Sequence, residues 1–329
     1  MKKAALLIGI NYINTSYELS GCITDVNNIE NLLKNNLEFT EITKVTDNHI
    51  KPSKNNILNE FDNILKKINN GYDEVWIHYS GHGYRVYDNS GDESDNYDEV
   101  IIPLDYQSSG VINDDYLNKN FLKKITNPNC KLFIFFDCCN SGTQMDLKWQ
   151  YKNNSWKQIS DKTCLGQVLF MSGCRDDQES SEMYNIMNDK KWAGAMTSSF
   201  IKYIKDNNYN ITIIDLITNV TEYIHSTLGS TQIPQICCNY HINIDAYFIR
   251  NNMVGGTNLD KKNVNDVFNK YIHIYKRYEH LCEKYKNSLV FYNYYTKMRD
   301  LYKNTIDNFA NVDHQIINQT NNIETFFEI

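Results

Sequence analysis

Continuous and periodic hydrophobic patterns alternate along this chain. Ala4–Ile10, Val75–Tyr79, Lys131–Phe136 and Gln167–Ser172 are short, mostly apolar runs, the signature of strands buried on both faces. Between them, apolar residues recur at helical spacing. Val26, Ile29, Leu32 and Leu33 do so within 23–33, and Ile57, Leu58, Phe61, Ile64, Leu65 and Ile68 within 57–68. Glu41–Val45 reads as a further short strand and Tyr97–Leu104 as a hairpin arm. Asp114–Ile125 reads as a helix opened by an acidic first turn. Helices follow over 193–205 and 211–228. Ile233–Asn239 is a last strand, which Pro234 near its start assigns to a sheet edge.

Strands alternating with helices predict an α/β domain with a mostly parallel sheet covered on both faces. Such sheets gather functional groups beyond the carboxyl ends of their strands. Residues 251–263 are polar, contain Gly255-Gly256, and read as a linker. Beyond them Val264, Val267, Phe268, Tyr271, Tyr275, Tyr278, Leu281, Cys282 and Tyr285 keep helical spacing. The expected organisation is an α/β domain over 1–250, the linker, and an all-helical C-terminal extension over 264–329.

Composition narrows the function classes. A hydrophobic share of 41% over 329 residues sustains a core, so the bulk of the chain is not disordered. A net charge of -7 lacks the basic footprint of a nucleic-acid binder. No run approaches the ~18 apolar residues of a membrane span. The apolar run after Lys3 is short and passes into Asn11 and Asn14, which fits a core strand better than a secretory leader. The nine cysteines form no CxxC pair, which argues against a disulfide framework and a structural zinc site. A cytoplasmic location is the expectation.

The chemistry concentrates at the ends of two of the apolar runs, Val75–Tyr79 and Lys131–Phe136. One is followed by HYSGHG at 78–83, the other by DCCNSG at 137–142. A thiol becomes a useful nucleophile at neutral pH when a base or positive group stands beside it. A histidine at the neighbouring strand end supplies that base. Glycines flanking His82 clear space and permit a sharp turn. Backbone N–H groups near Gly83 and Cys139 are candidates to hold an oxyanion. Taken singly, a cysteine at a strand end is most often a small core residue. The two matched strand ends favour the catalytic reading.

These blocks resemble the metacaspases, of the caspase-like cysteine peptidase clan. The resemblance runs over about residues 3–250. It is carried by SGCITDVNNIENLL at 20–33, HYSGHG, DESDNYDEVIIPLD at 92–105, INDDYL at 112–117, DCCNSG, SGCRDDQESSE at 172–182 and GAMTSSFI at 194–201, in that order. It implies a caspase-like fold with Cys139 as nucleophile and His82 as general acid and base. The separation, 139 − 82 = 57, is close to the ~50 of caspases. The family pattern has His after the nucleophile, and Asn140 stands there in this chain.

The resemblance also implies cleavage after Arg or Lys, with Asp25, Ser80 and Asp137 forming the specificity pocket. Paired carboxylates suit a guanidinium or an ammonium. Taken alone, Asp25 is an ordinary acid of an early helical turn and Asp137 a helix cap. A calcium ion is implied at Asp98, Asp114, Asp115 and Asp146, because oxygen-only ligands suit a hard cation. The acids of 88–99 do not make an EF-hand, since its sixth place holds Glu93 rather than Gly. Residues 146–163 read as a polar loop whose Lys148, Lys152, Lys157 and Lys162 are candidate self-cleavage sites. Protein or peptide substrates, a monomeric state, and no nucleic-acid or membrane partner complete the expectation. The alternatives are a non-catalytic caspase-fold binding module recruiting partners through the helical extension, and a small-molecule thiol hydrolase.

Overall fold

The computed structural model describes the chain outside residues 89–95, 139–144, 153–154, 174–181, 185–191, 229–231, 241, 251–271, 273–274, 288–291, 294, 301–302, 304–324 and 329. In chain order the elements are β1 (Lys3–Gly9), α1 (Cys22–Asn36), β2 (Glu41–Thr46), α2 (Lys54–Asn69), β3 (Glu74–Ser80), β4 (Gly83–Tyr87), β5 (Tyr97–Ile101), α3 (Tyr106–Ser109), β6 (Ile112–Asn113) and α4 (Asp114–Asn120). There follow β7 (Lys131–Asp137), β8 (Trp149–Lys152), β9 (Ser155–Gln158), β10 (Gln167–Ser172), β11 (Glu182–Tyr184), β12 (Trp192–Gly194), α5 (Ala195–Asp206), β13 (Ile211–Thr212), α6 (Ile213–Leu228), β14 (Gln235–Cys238), β15 (Tyr247–Arg250) and β16 (Thr325–Glu328).

The central sheet has the order β2-β1-β3-β7-β10-β14-β8-β9. Its first five strands pair in parallel, and β14 runs antiparallel to β10 and to β8. Every residue of β1 and β3 is buried, which explains their mostly apolar runs. Side chains alternate between the two faces. Leu6, Ile8, Ile77, Tyr79, Ile134 and Phe136 share one core with Ile57, Phe61, Ile64, Leu65 and Ile68 of α2. Ser53 caps α2 by accepting the Asn56 N–H at 3.3 Å. The other face packs rings: Trp76 meets Phe133 edge to face at 4.6 Å, and Phe135 stacks on Phe200 at 4.7 Å.

Several boundaries differ from the sequence reading, each for a local reason. Pro234 does not mark an edge. It lies just before β14, costs the ladder no donor, and leaves that strand paired on both sides. The helix expected over 114–125 ends at Asn120, and a tighter 3-10 turn over Leu122–Lys124 buries Phe121 and Leu122. The helix expected from 211 starts at Ile213, because Ile211 and Thr212 pair with β15. The polar stretch 146–163, read as loop, contains β8 and β9. Within the extension expected to be all-helical, Thr325–Glu328 is a strand that pairs in parallel with β15.

The chain divides into two compact units. One comprises Met1–Gln150, Lys157–Asn251 and Thr325–Ile329, and the other Tyr151–Trp156 and Asn252–Glu324. In the second, helical residues at 275–284 and 295–300 bury Tyr278, Leu281, Cys282, Tyr295 and Met298 together. That is the spacing the periodicity gave. Among the described residues no helix is long and apolar enough to cross a membrane.

The strand β16 generates a test. Phe327 is fully buried and stacks on Trp76 at 5.5 Å. Phe327→Ala is expected to cost about 3–5 kcal/mol of stability, the usual range for a truncated core ring. Urea unfolding measures it, and a loss within ~0.5 kcal/mol, the range of an uninvolved surface site, would show that β16 is not part of the core.

Candidate active site

The parallel pairing of β3 with β7 ends with Ser80 opposite Asp137. On the other side of β3, Gly9 ends β1 opposite Ser80. A side chain at Gly9 would meet the Cys22 carbonyl oxygen at 2.7 Å, so glycine is what lets α1 begin against the strand end. That close approach carries Asp25, in the first turn of α1, to the same point. The Ser80 hydroxyl donates to Asp25 Oδ2 at 2.7 Å. The expected pocket residues Asp25, Ser80 and Asp137 are all buried, and the structure gathers them.

What holds two buried carboxylates there is the start of α5. The Gly194 N–H donates to Asp25 Oδ1 at 2.9 Å and to Oδ2 at 3.1 Å. The Thr197 N–H and hydroxyl donate to Asp137 Oδ2 at 2.9 and 2.8 Å. Asp137 is therefore the helix cap that the sequence allowed, but of a helix 58 positions later (195 − 137). The positive end of the helix dipole supports both anions. A methyl group on Gly194 would collide with Asp137 and lie 2.8 Å from Asp25 Oδ2, so only glycine fits between them. Gly194 and Thr197 were quoted within GAMTSSFI, yet nothing local in the sequence assigns them this task.

His82 and His78 share one motif but not one environment. His78 lies inside β3, fully buried, with Nδ1 at 2.9 Å from the Phe135 carbonyl oxygen. Burial pushes its pKa down to about 3. His82 is half-buried beyond the strand end. Its Nε2–H donates to the Tyr17 carbonyl oxygen at 2.8 Å, a tautomer that leaves the Nδ1 lone pair as the basic site. Two phenols fix its backbone. The His82 N–H donates to Tyr12 Oη at 3.0 Å, and Tyr79 Oη donates to the His82 carbonyl at 2.7 Å. Tyr12 also lays its ring 4.7 Å from the imidazole and donates its hydroxyl to the Ile102 carbonyl at 2.6 Å. Neither tyrosine was singled out from sequence. Gly83, the expected oxyanion donor, is buried at the start of β4. Cys138 is buried, and Cys139 lies outside the described residues.

The four aspartates expected at a calcium site converge from β5, α4 and the segment before β8. Asp98 Oδ2 accepts from Asn113 Nδ2 at 3.1 Å, and Asp114 Oδ2 accepts from the Glu99 N–H at 3.1 Å. Burial, with the Asp146 and Asp98 carboxylates nearby, pushes the Asp114 pKa up to about 8. Among the described residues no three acidic, His or Cys side chains stand as a ready set of metal ligands. A cation is already present. The Lys162 ammonium bridges Asp115 Oδ1 at 2.8 Å and Asp146 Oδ2 at 2.7 Å. The carboxylates supply only oxygen donors, but with this ammonium between two of them they do not stand here as a set of metal ligands. Of the other candidate lysines, Lys148 lies just before β8, and Lys152 and Lys157 are exposed within β8 and β9.

The family model for the metacaspase peptidase C14 domain matches residues 2–148. Metacaspase-1 of Lodderomyces elongisporus is 30% identical over 309 residues, covering 75% of this chain and 67% of that protein. The chain belongs to the metacaspase family. Metacaspase-2 of Arabidopsis thaliana is 33% identical over 241 residues, 68% of this chain and 57% of that protein. The chain thus spans about 57–67% of the length of these two metacaspases. A solved protein of Geobacter sulfurreducens shares the fold, with a TM-score of 0.53 and 21% identity over 74% of this chain and 95% of that one. The mixed sheet flanked by helices is a caspase-like fold. In this metacaspase Asp25, Ser80, His82 and Asp137 all fall within the span matched by the family model.

The state of His78 predicts an acid limb of stability. Its unfolded pKa is near 6.5 and its folded value about 3, so below pH ~6.5 the unfolded chain binds a proton that the folded one refuses. Stability therefore falls as pH drops from about 6.5 towards 3, by at most ~1.4 kcal/mol per pH unit from this group. Urea unfolding at stepped pH is expected to show a shallower acid limb in His78→Gln than in the native chain. Identical slopes would contradict the burial argument.

Proposed function

We propose that this chain is a cysteine endopeptidase that cleaves after Arg or Lys with a Cys139–His82 dyad. The observation that carries the reading is a pair of buried acids at the strand ends: Asp25, which accepts from Ser80 and Gly194, and Asp137, which accepts from Thr197, with Ser80 two residues before His82 and Asp137 two before Cys139. A basic side chain entering this pocket would meet two carboxyl groups that accept hydrogen bonds from the start of α5, and charge-assisted bonds to them would hold it. Specificity for a cation follows from the sign of that pocket.

In this mechanism His82 takes the Cys139 proton at Nδ1, and the thiolate attacks the carbonyl carbon of the scissile bond. The oxyanion accepts from the Gly83 and Cys139 N–H groups. The imidazolium then returns its proton to the leaving amine, which departs and leaves an acyl-enzyme. Water, deprotonated by His82, completes hydrolysis. The Tyr17 carbonyl accepts from Nε2 and sets the tautomer, and the Tyr12 and Tyr79 hydroxyls hold the His82 backbone. Lys148, Lys152, Lys157 and Lys162 are the self-processing candidates of the same basic specificity.

Peptides ending in Arg, Lys or Asp, each carrying a fluorogenic leaving group, test the reading. Hydrolysis is expected after Arg and Lys and not after Asp. Cys139→Ala and His82→Ala should each abolish it while Cys138→Ala retains it, since removing either member of a coupled pair leaves little of the chemistry. Asp25→Asn should cost about 1.5–3 kcal/mol in kcat/KM on basic substrates, as for a lost hydrogen bond to a charged group. Cleavage after Asp alone overturns the pocket. No hydrolysis of any peptide, with or without calcium, points instead to a binding module.

A further inference from the structure

The acidic pocket meets the substrate residue before the scissile bond, and the residue after it needs a surface of its own. The rings around His82 supply one. Tyr12 is buried and lays its ring beside the imidazole at 4.7 Å. Tyr17 stands edge-on to the imidazole at 6.5 Å and edge-on to Tyr106 at 6.4 Å. Tyr17 is 56% exposed, and Tyr106, the first residue of α3, is half-buried. His82, Tyr17 and Tyr106 thus form a row of rings with the dyad histidine at one end.

Both tyrosines sit on anchored backbone. The Thr15 hydroxyl donates to the Tyr12 carbonyl at 2.7 Å and accepts the Tyr17 N–H at 3.2 Å. The Leu19 N–H donates to the Asn11 carbonyl at 2.8 Å, so the segment 11–19 closes on itself. Tyr106 follows Asp105, whose carboxylate accepts from the Lys54 N–H and from the Ser109 hydroxyl, each at 2.7 Å. The Ile102 N–H donates to the His82 carbonyl at 3.2 Å, which ties the segment leading to Tyr106 to the histidine. Rings held in this way offer contact area at little cost in conformational entropy.

We propose that Tyr17 and Tyr106 form the subsite for the substrate residue that follows the scissile bond, and that they select a large apolar or aromatic side chain there. The proposal rests on the peptidase reading, in which His82 protonates the leaving amine. As the C–N bond breaks, its electron pair stays on the nitrogen, which takes the proton of the imidazolium. That nitrogen comes within about 3 Å of the imidazole, and the side chain of its residue begins two bonds away. Tyr12 already fills one side of the imidazole. The Tyr17 ring is within reach of that side chain, and Tyr106 extends the surface. The two ring bodies bring apolar area and edge-to-face partners, which favour an apolar or aromatic residue over glycine.

Internally quenched peptides test this, identical except for Phe, Leu or Gly after a single Arg. The native chain is expected to cleave the Phe and Leu peptides with kcat/KM about tenfold above the Gly peptide, the low end of what apolar groups gain in a pocket, since this surface is open on one side. Tyr17→Ala keeps the main-chain carbonyl that accepts from His82 Nε2 and removes only the ring. Tyr17→Ala and Tyr106→Ala are each expected to cut the preference to about threefold or less. Tyr17→Phe keeps it, as does Tyr116→Ala, which alters an exposed tyrosine of α4 outside the row. A native ratio near one, or a ratio unchanged in either alanine variant, overturns the subsite and leaves the dyad and the acidic pocket standing. An equal loss on all three peptides in Tyr17→Ala also overturns it, because the ring would then support His82 and not the substrate. Cleavage of no peptide by the native chain overturns the subsite together with the peptidase reading.

Discussion

The in-register pairing of β3 with β7 is the constraint on which the site depends. It sets Ser80 beside Asp137 at the end of the sheet and sends the two motif segments out from adjacent points. A slip of one residue in either strand would turn its side chains to the opposite face. Asp137 would leave the start of α5, and the aromatic stack of Trp76, Phe133 and Phe135 would be broken. The register is fixed far from the site by apolar burial on both faces of the sheet. The core therefore does positional work for the chemistry, and the site itself is free to hold groups that oppose folding.

Two such groups are the buried carboxylates of Asp25 and Asp137. Taking them out of water is unfavourable, and the offset comes from backbone and hydroxyl donors at the α5 N-terminus. The arrangement sets two acidic side chains at the positive end of a helix dipole, and the proposed preference for a basic side chain rests on them. A second acid cluster, 98–114–115–146, is handled differently. There an ammonium from the chain itself sits between two of the carboxylates, and a third is pushed towards neutrality by burial and by its neighbours. One cluster is held by hydrogen bonds from the start of a helix; the other is balanced by a lysine of the chain itself.

The parts of this account legible in the sequence are those written in local pattern. The buried strands β1, β3, β7 and β10 and the apolar face of α2 follow from runs and helical spacing. The candidate pocket residues came from motif blocks, and the structure brings them together. What was not legible is non-local. No periodicity links Gly194 and Thr197 to acids far earlier in the chain, and none announces that Tyr12 and Tyr79 hold the backbone of His82. Strand β16 lies in the extension expected to be helical, and its place is set by pairing with β15. The hairpin strands β8 and β9 are polar because they continue an edge, so alternation did not reveal them. Pro234 misled because the edge rule applies to a proline within a strand, and this one stops short of it.

The central claim is that the strand ends of β3 and β7 present a thiol beside a pocket for a basic side chain. Covalent labelling tests it most directly. The native chain is treated with a peptidyl acyloxymethyl ketone ending in Arg, and separately with one ending in Asp, and the modified residue is located by mass spectrometry. The account predicts a single adduct on Cys139 with the Arg reagent, lost in Asp25→Asn with Asp137→Asn and absent with the Asp reagent. An adduct on another cysteine, or labelling of Cys139 by the Asp reagent in preference to the Arg one, would contradict it.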